Sequence, residues 1–222
     1  MTTDQKIKAI VEKKLSCSAH NMDHVMRVYN TCMNLAKGKK VDMEVLKAAI
    51  LLHDIARVKE DDDKTGKVDH AVLSAKEAEP ILKKLGFPKK KIKHIQDCII
   101  SHRYKTDHKP KSLEAKILFD ADKLDVTGAM GIARAFVWVG RNNAHIYRKV
   151  NLKEYIKENL GGKINGRIKD NSKHSPQIEY EIKYKFLGNK FFTPQARAIG
   201  RKRIKFFKNF LDTLEREVKG KI

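Results

Sequence analysis

Apolar residues recur along most of this chain at intervals of three and four, the spacing that lines one face of an α-helix. Residues 4–15 place Ile7, Ile10 and Val11 on one side. Residues 22–37 repeat Val25, Val28, Cys32, Leu35 and Ala36, and 42–57 carry Leu46, Ala49, Ile50 and Leu52. The stretch 70–85 offers Ala71, Ala75, Ala78, Ile81, Leu82 and Leu85, after which Gly86 and Pro88 mark a helix end and a restart. Helical spacing resumes over 89–102 (Ile92, Ile95, Ile99) and over 112–124 (Leu113, Ile117, Leu118). The pattern predicts an all-α bundle.

The C-terminal half is less regular. Residues 161–175 combine paired glycines, Gly166, Asn171 and several lysines, and read as a mobile loop and a candidate lid. Beyond it Ile178, Tyr180, Ile182, Tyr184 and Phe186 alternate as a strand would, yet Ile178, Ile182 and Phe186 also share a helical face. A long final helix is expected over about 194–218, with Ile199, Ile204, Phe207, Phe210, Leu211 and Leu214 approximating a buried stripe.

Composition narrows the class. A chain of 222 residues with 41% hydrophobic content is long enough for a full-sized core. No run of eighteen apolar residues and no secretory segment occurs, so a cytoplasmic location without membrane contact is expected. Cys17, Cys32 and Cys98 are odd in number and far apart, which predicts free thiols in a reducing compartment. The net charge of +21 would suit phosphate-bearing partners. Its excess is mainly dispersed lysine, however, which reads as a solvated coat rather than a nucleic-acid platform, and aromatic content is only 7%.

Candidate chemistry lies within the helical segments. His24, the doublet His53-Asp54, and Asp122 in Phe-Asp-Ala-Asp-Lys-Leu-Asp all sit in apolar helical contexts. A His-Asp pair at the inner end of a buried helix is costly to desolvate unless something pairs its charge. A divalent cation would do so, and two imidazoles with two carboxylates suit Mn²⁺, Fe²⁺, Zn²⁺ or Co²⁺.

Three pieces in order carry a family resemblance: Asp-His-Val-Met-Arg-Val at 23–28, Leu-Leu-His-Asp-Ile-Ala-Arg at 51–57, and Asp-Ala-Asp-Lys-Leu-Asp-Val-Thr-Gly-Ala-Met-Gly-Ile-Ala-Arg at 120–134. With the tail Thr-Pro-Gln-Ala-Arg, Arg-Lys-Arg-Ile-Lys-Phe-Phe and Leu-Glu-Arg-Glu, the chain resembles the HD-domain superfamily of metal-dependent phosphohydrolases over nearly its whole length. It is most similar to the stand-alone branch related to nucleoside triphosphate pyrophosphohydrolases. The resemblance implies an HD-type helical core over 1–140, and a helical extension over 141–222 packed on it as one structural domain. It implies metal ligands His24, His53, Asp54 and Asp122, the last because the motif's aspartate follows an alanine. Mn²⁺ is the first expectation, with Fe²⁺, Zn²⁺, Co²⁺, Ni²⁺ or Mg²⁺ as alternatives.

The same resemblance suggests further roles. His70 and His102 match extra histidines that, in parts of the superfamily, hold a second metal or a substrate phosphate. Asp125 is a candidate catalytic residue or a carboxylate that orients a ligand histidine, beside the catalytic candidate Asp54; Asp120 is expected to face elsewhere. Arg57, Lys123, Arg134 and Arg103 are candidate partners for phosphate oxygens. His20 is at most an outer neighbour of the site, and His94, His108, His145 and His174 read as solvated. Alarmone hydrolases of the superfamily carry an acidic pair after the doublet, where this chain has Arg57 and Val58, and the acidic run Glu60–Asp63 reads as a displaced, solvated loop. A cationic Arg57 instead suits a polyphosphate chain. The resulting expectation is a nucleotide substrate, a nucleoside or deoxynucleoside triphosphate cleaved to monophosphate and pyrophosphate by metal-activated water. Alternatives are a phosphodiesterase or phosphomonoesterase on the same core, and a nucleic-acid-binding module with a structural metal.

Overall fold

Local sequence chemistry sets each helix boundary in the computed structural model, which describes residues 1–15, 22–63, 65–104 and 108–221. Cys17 and His20 lie outside the described residues. Among the described residues the regular structure is helical, with no strand. The chain forms two compact units, Met1–Asp122 and Lys123–Ile222.

In the first unit, α1 (Thr3–Lys14) opens with a reciprocal cap: Thr2 Oγ1 accepts from the Gln5 amide, and the Thr2 amide donates to Gln5 Oε1. The second helix, α2 (Met22–Ala36), buries His24, Val25, Val28, Cys32 and Leu35. At the centre is α3 (Met43–Leu52), capped by the Asp42 carboxylate. Seven of its ten residues are buried, so it packs on several sides, against α1, α2, α5 (His70–Lys84) and α6 (Lys89–Ser101). Between α5 and α6, Gly86 takes φ +81°, and the Phe87 amide donates to the Leu82 carbonyl, a left-handed helix stop that turns the chain back. The unit ends within α7 (Leu113–Leu124), whose Ile117, Leu118 and Ala121 are fully buried.

The continuous helix expected over 42–57 is broken. Helix α3 stops at Leu52, and a tight turn over 53–56 leads into a short α4 (Arg57–Asp62). The turn's backbone is satisfied by other means: the Ala56 amide donates to Ser74 Oγ at 3.1 Å and the Arg57 amide to the Asp54 carbonyl at 2.8 Å. The His-Asp doublet therefore sits at a helix break that its neighbours stabilise.

The second unit contains α8 (Gly128–Arg141), α9 (Leu152–Asn159), α10 (Pro176–Ile182), a 3-10 turn over Tyr184–Asn189, and α11 (Pro194–Val218). The ambiguous segment is helical. Ile178 and Ile182 join Tyr155 and Leu160 in a small apolar cluster. Phe186 leaves that face because the helix ends at Ile182 and tightens into the 3-10 turn, and its ring is 42% exposed. Along α11, Ala196, Gly200, Phe207 and Leu211 are fully buried, while Ile199, Ile204, Phe210 and Leu214 are half-buried.

The lid reading of 161–175 is corrected at its C-terminal end. Asn159 clamps Asp170 from both sides, with the Asp170 amide donating to Asn159 Oδ1 at 2.8 Å and Asn159 Nδ2 donating to the Asp170 carbonyl at 3.0 Å. His174, expected to be solvated, is buried: Nδ1 lies 2.7 Å from the Tyr155 hydroxyl and Nε2 3.3 Å from Glu179. His108 and His145 are exposed as expected, and His94 is half-buried beside Glu114.

Two helical glycines make opposite predictions. A Cβ on Gly200 would meet the buried Phe191 ring at 2.2 Å, so Gly200→Ala should destabilise the protein by about 1–3 kcal/mol despite alanine's better helix propensity. A Cβ on Gly140 meets nothing within 4 Å, so Gly140→Ala should stabilise by up to about 1 kcal/mol. Urea denaturation of both variants checks the signs.

Candidate metal centre

Four histidine side chains are brought together inside the first unit, from four elements. His24 comes from α2, His53 caps α3, His70 opens α5 and His102 caps α6. All four are at least 95% buried, as is Asp54. The Asp54 carboxylate lies among them: Oδ2 is 3.6 Å from the Nε2 atoms of both His24 and His53, while Oδ1 is 3.4 Å from His70 Nε2 and 3.5 Å from His102 Nε2. Asp122 from α7 closes one side, its Oδ1 3.4 Å from His24 Nε2.

Proton positions on three imidazoles follow from their outer partners. His53 Nδ1 lies 2.7 Å from the Ile50 carbonyl and His102 Nδ1 2.5 Å from the Ile99 carbonyl; a carbonyl only accepts, so each Nδ1 carries the hydrogen. His70 Nδ1 donates to Glu60 Oε2. In the neutral ring each Nε2 then holds a lone pair directed inward. His53 and His24 bring their Nε2 atoms within 3.4 Å, and His70 and His102 within 3.3 Å. Asp54 Oδ1 is buried without a hydrogen-bond partner. Converging lone pairs around an unsatisfied carboxylate oxygen repel one another unless a cation lies among them, and nitrogen and oxygen donors in this arrangement fit a divalent metal.

Electrostatics point the same way. Burial holds the His53 imidazole down to about 4, against the opposing pull of Asp54, and burial also lowers His70 although Glu60 opposes it. Burial alone would raise the Asp54 carboxyl, but His53, His102 and His70 outweigh it and hold it well below the usual carboxylate range. His53 and His70 are thus held toward the neutral imidazole and Asp54 toward the ionised carboxylate, the states in which a metal ion is bound.

Glu60 is the residue that sequence reading missed. It belongs to α4 rather than to a solvated loop, and its carboxylate receives His70 Nδ1, Arg57 Nη1 at 2.8 Å and Arg103 Nη2 at 2.6 Å. Burial works against its ionisation, yet those partners bring Glu60 to about 2. Arg103 also pairs with Asp69, the N-cap of α5, at 2.9 Å, and Arg57 with Asp61 at 3.1 Å. Helical spacing of Arg57 and Glu60, three apart, is the signal that would have found the pair. Asp120 is buried outside the cluster.

Asp125, Arg134 and Lys123 belong to the second unit. The buried Asp125 carboxylate pairs with Arg134 Nη1 at 2.5 Å, so these two candidates are held by each other. Lys123 is half-buried.

A buried His/Asp cluster in an all-helical unit fits a divalent-metal centre. The HD domain model matches residues 21–127, which span every donor of the cluster. YpgQ of Bacillus subtilis is 27% identical over 207 residues, covering 91% of this chain and 86% of that protein. Its crystal structure in complex with ADP aligns with a TM-score of 0.72 at 23% identity over the whole of both chains. MJ0778 of Methanocaldococcus jannaschii is 32% identical over 132 residues, 53% of this chain and 73% of that protein. A predicted HD superfamily hydrolase from an uncultured Thermotogales bacterium aligns at 26% identity with a TM-score of 0.60, covering 96% of this chain and 90% of that one. The chain belongs to the HD-domain superfamily of metal-dependent phosphohydrolases and is an enzyme of that class.

The depressed imidazoles predict a pH dependence. In chelator, the unfolded chain takes up protons below about pH 6.5 that folded His53 refuses until about pH 4, so stability must fall as pH drops through that window. His53 alone should contribute on the order of 3 kcal/mol, and His70 adds in the same direction. Thermal melts in EDTA from pH 7 to pH 5, above the range of ordinary carboxylates, check this; a flat Tm would contradict it.

Proposed function

We propose that the protein hydrolyses nucleoside or deoxynucleoside triphosphates to the monophosphate and pyrophosphate. The observation that carries this reading is the division of Asp54, one oxygen toward His24 and His53 and the other toward His70 and His102, with the guanidinium groups of Arg57 and Arg103 gathered on Glu60 beside it. In this reading His24, His53, Asp54 and Asp122 hold one divalent ion, Mn²⁺ being the first candidate. His70 and His102, with the second Asp54 oxygen, hold another ion or a substrate phosphate.

A bound divalent ion supplies an acidified water and a polarised phosphoryl oxygen. Around it, the carboxylate of Asp54 orients the attacking water, and the two arginines offset the charge that develops on the transferred group. Arg57 Nε is buried without a partner, a donor left for an anionic oxygen. Burial would lower the Arg57 guanidinium, but Asp54, Asp61 and Glu60 keep it firmly charged. Glu60 fixes the tautomer of His70 and the direction of both arginines together. In the second unit Asp125 remains the further catalytic candidate and holds Arg134, which with Lys123 remains a substrate-binding candidate. The ADP bound by YpgQ supports a nucleotide, and the cationic Arg57 supports a polyphosphate chain.

Turnover of a nucleotide panel with Mn²⁺, scoring pyrophosphate and orthophosphate separately, tests the reading. Pyrophosphate release is expected from wild type, with a loss greater than about 100-fold in Asp54→Asn, beyond what an outer partner usually costs. Orthophosphate alone would turn the assignment to a monoesterase, and no release from any nucleotide would remove it. Glu60→Gln should lower metal affinity or activity by about 10- to 100-fold while leaving the fold intact. Metal analysis of the purified variants separates the two causes.

A further inference from the structure

Positive charge is unevenly divided along this chain. Residues 123–222 contain 23 of the 48 lysines and arginines but only 9 of the 27 acids, so they contribute +14 of the net +21. The bias peaks on α11, which has no acidic residue before Asp212. Some of its cations have structural work: Arg197 Nη1 donates to the Phe191 and Phe192 carbonyls, and Arg203 Nη1 to the Leu124 carbonyl. Arg201, Lys202 and Lys205 are exposed and make no hydrogen bond or ion pair among the described residues.

Arg201, Lys205 and Lys208 stand at i, i+4 and i+7, on one side of the helix, where like charges cost a few tenths of a kcal/mol per pair. They face an open groove of about 360 Å³ between α11 and the 3-10 turn, lined also by Lys185, Tyr180 and Ile204. Lys208 and Lys185 have carboxylate partners, Asp212 and Glu181; Arg201 and Lys205 have none. The fold does not require this repulsion, and an anionic ligand in the groove would relieve it.

We propose that this groove binds the phosphate backbone of single-stranded nucleic acid. The three helix cations span about 10 Å along the axis, the length of about three backbone phosphates. Two aromatic rings of the same unit are left in solvent, Phe206 on α11 at 55% exposure and Phe186 at 42%, the latter with Lys185 Nζ 5.0 Å from its ring centroid. Phe206 stands one turn from the unpaired Lys202, outside the groove's own lining, and an exposed ring beside a cation provides a stacking platform for an unpaired base, which a duplex does not present. Aromatic content is low over the chain as a whole, and these two exposed rings lie in the unit that has the charge excess, on the flanks of the groove's elements.

Fluorescence anisotropy with labelled 15-nucleotide single-stranded RNA and DNA, in EDTA so that no turnover occurs, tests the proposal independently of any nucleotide hydrolysis. Wild type should bind single strands more tightly than a duplex of the same sequence. Arg201→Gln/Lys205→Gln/Lys208→Gln should lose at least tenfold in affinity at low salt, and its salt slope should flatten by about 2 for three lost phosphate contacts. The charge-matched control Lys84→Gln/Lys89→Gln/Lys90→Gln, in the first unit, should stay within threefold of wild type. Phe206→Ala should lose at least fivefold with its salt slope unchanged. Circular dichroism melts confirm that all variants fold. Equal losses in the two triple variants, preference for duplex, displacement by inorganic tripolyphosphate at matched phosphate concentration, or binding only to phosphatidylserine vesicles would each overturn the proposal.

Discussion

The convergence of imidazole nitrogens on the Asp54 carboxylate is the constraint on which the first unit depends. Each ring is fixed from outside, His53 and His102 by carbonyls of their own helices and His70 by Glu60. That leaves the inner nitrogens of these three rings no proton to offer. Such an interior is unfavourable by itself, because buried acceptors face acceptors and a carboxylate oxygen has no donor. The surrounding apolar packing of α2, α3, α5 and α6 must hold it together until a cation compensates. Ligands gathered in advance in this way spare a cation the cost of assembling them.

Helix ends are the means by which the ligands are gathered. His53 and His102 are both C-caps, and each turns its Nδ1 back to the carbonyl three residues earlier. A cap position frees the side chain from the helix face and points it past the end, so two helices can aim at one point without crossing it. His70 does the same from the opposite polarity, at the first residue of α5 behind its Asp69 cap. The break at 53–56 is part of this arrangement. Continuing α3 through Asp54 would rotate the carboxylate by about 100° per residue along the helix and spoil its two-sided contact with the histidines.

Much of this was legible in the residues. Apolar spacing located α1, α2, α5, α6 and α7 to within a residue or two, because each buries one well-defined stripe; it missed the α3 break and the short α4, which buries no residue. The cluster members His24, His53, Asp54 and Asp122 stood out because polar residues on an apolar face need a reason to be there, and His70 and His102 stood out at element ends. Glu60 did not, since an acid in the run Glu60–Asp63 differs from its neighbours only in what it faces after folding, and that depends on the break before α4. His174 was misread for the reverse reason: its loop sequence is polar, but Tyr155, Glu179 and Trp138 form a buried niche around it that no local pattern encodes. Phe186 was placed on a helical face that ends four residues too early.

Charge was the least legible feature, because a count carries no positions. A net charge of +21 invites the idea of a general field that draws in polyanions. At physiological ionic strength an exposed charge is screened beyond about 8 Å, so distant lysines add little to the capture of a substrate at a buried cluster. What acts at that cluster is local and largely neutralised: Arg57 and Arg103 are matched by Glu60, Asp61 and Asp69. These carboxylates hold the two guanidinium groups in fixed directions, and in the proposed reading orientation is worth more there than raw charge. Unmatched cations on a solvent-facing helix follow the other logic, in which mobile side chains, repulsion and exposed rings suit a long flexible polyanion. In the two proposals these arrangements answer two different kinds of phosphate, and the division of the chain's acids is what distinguishes them.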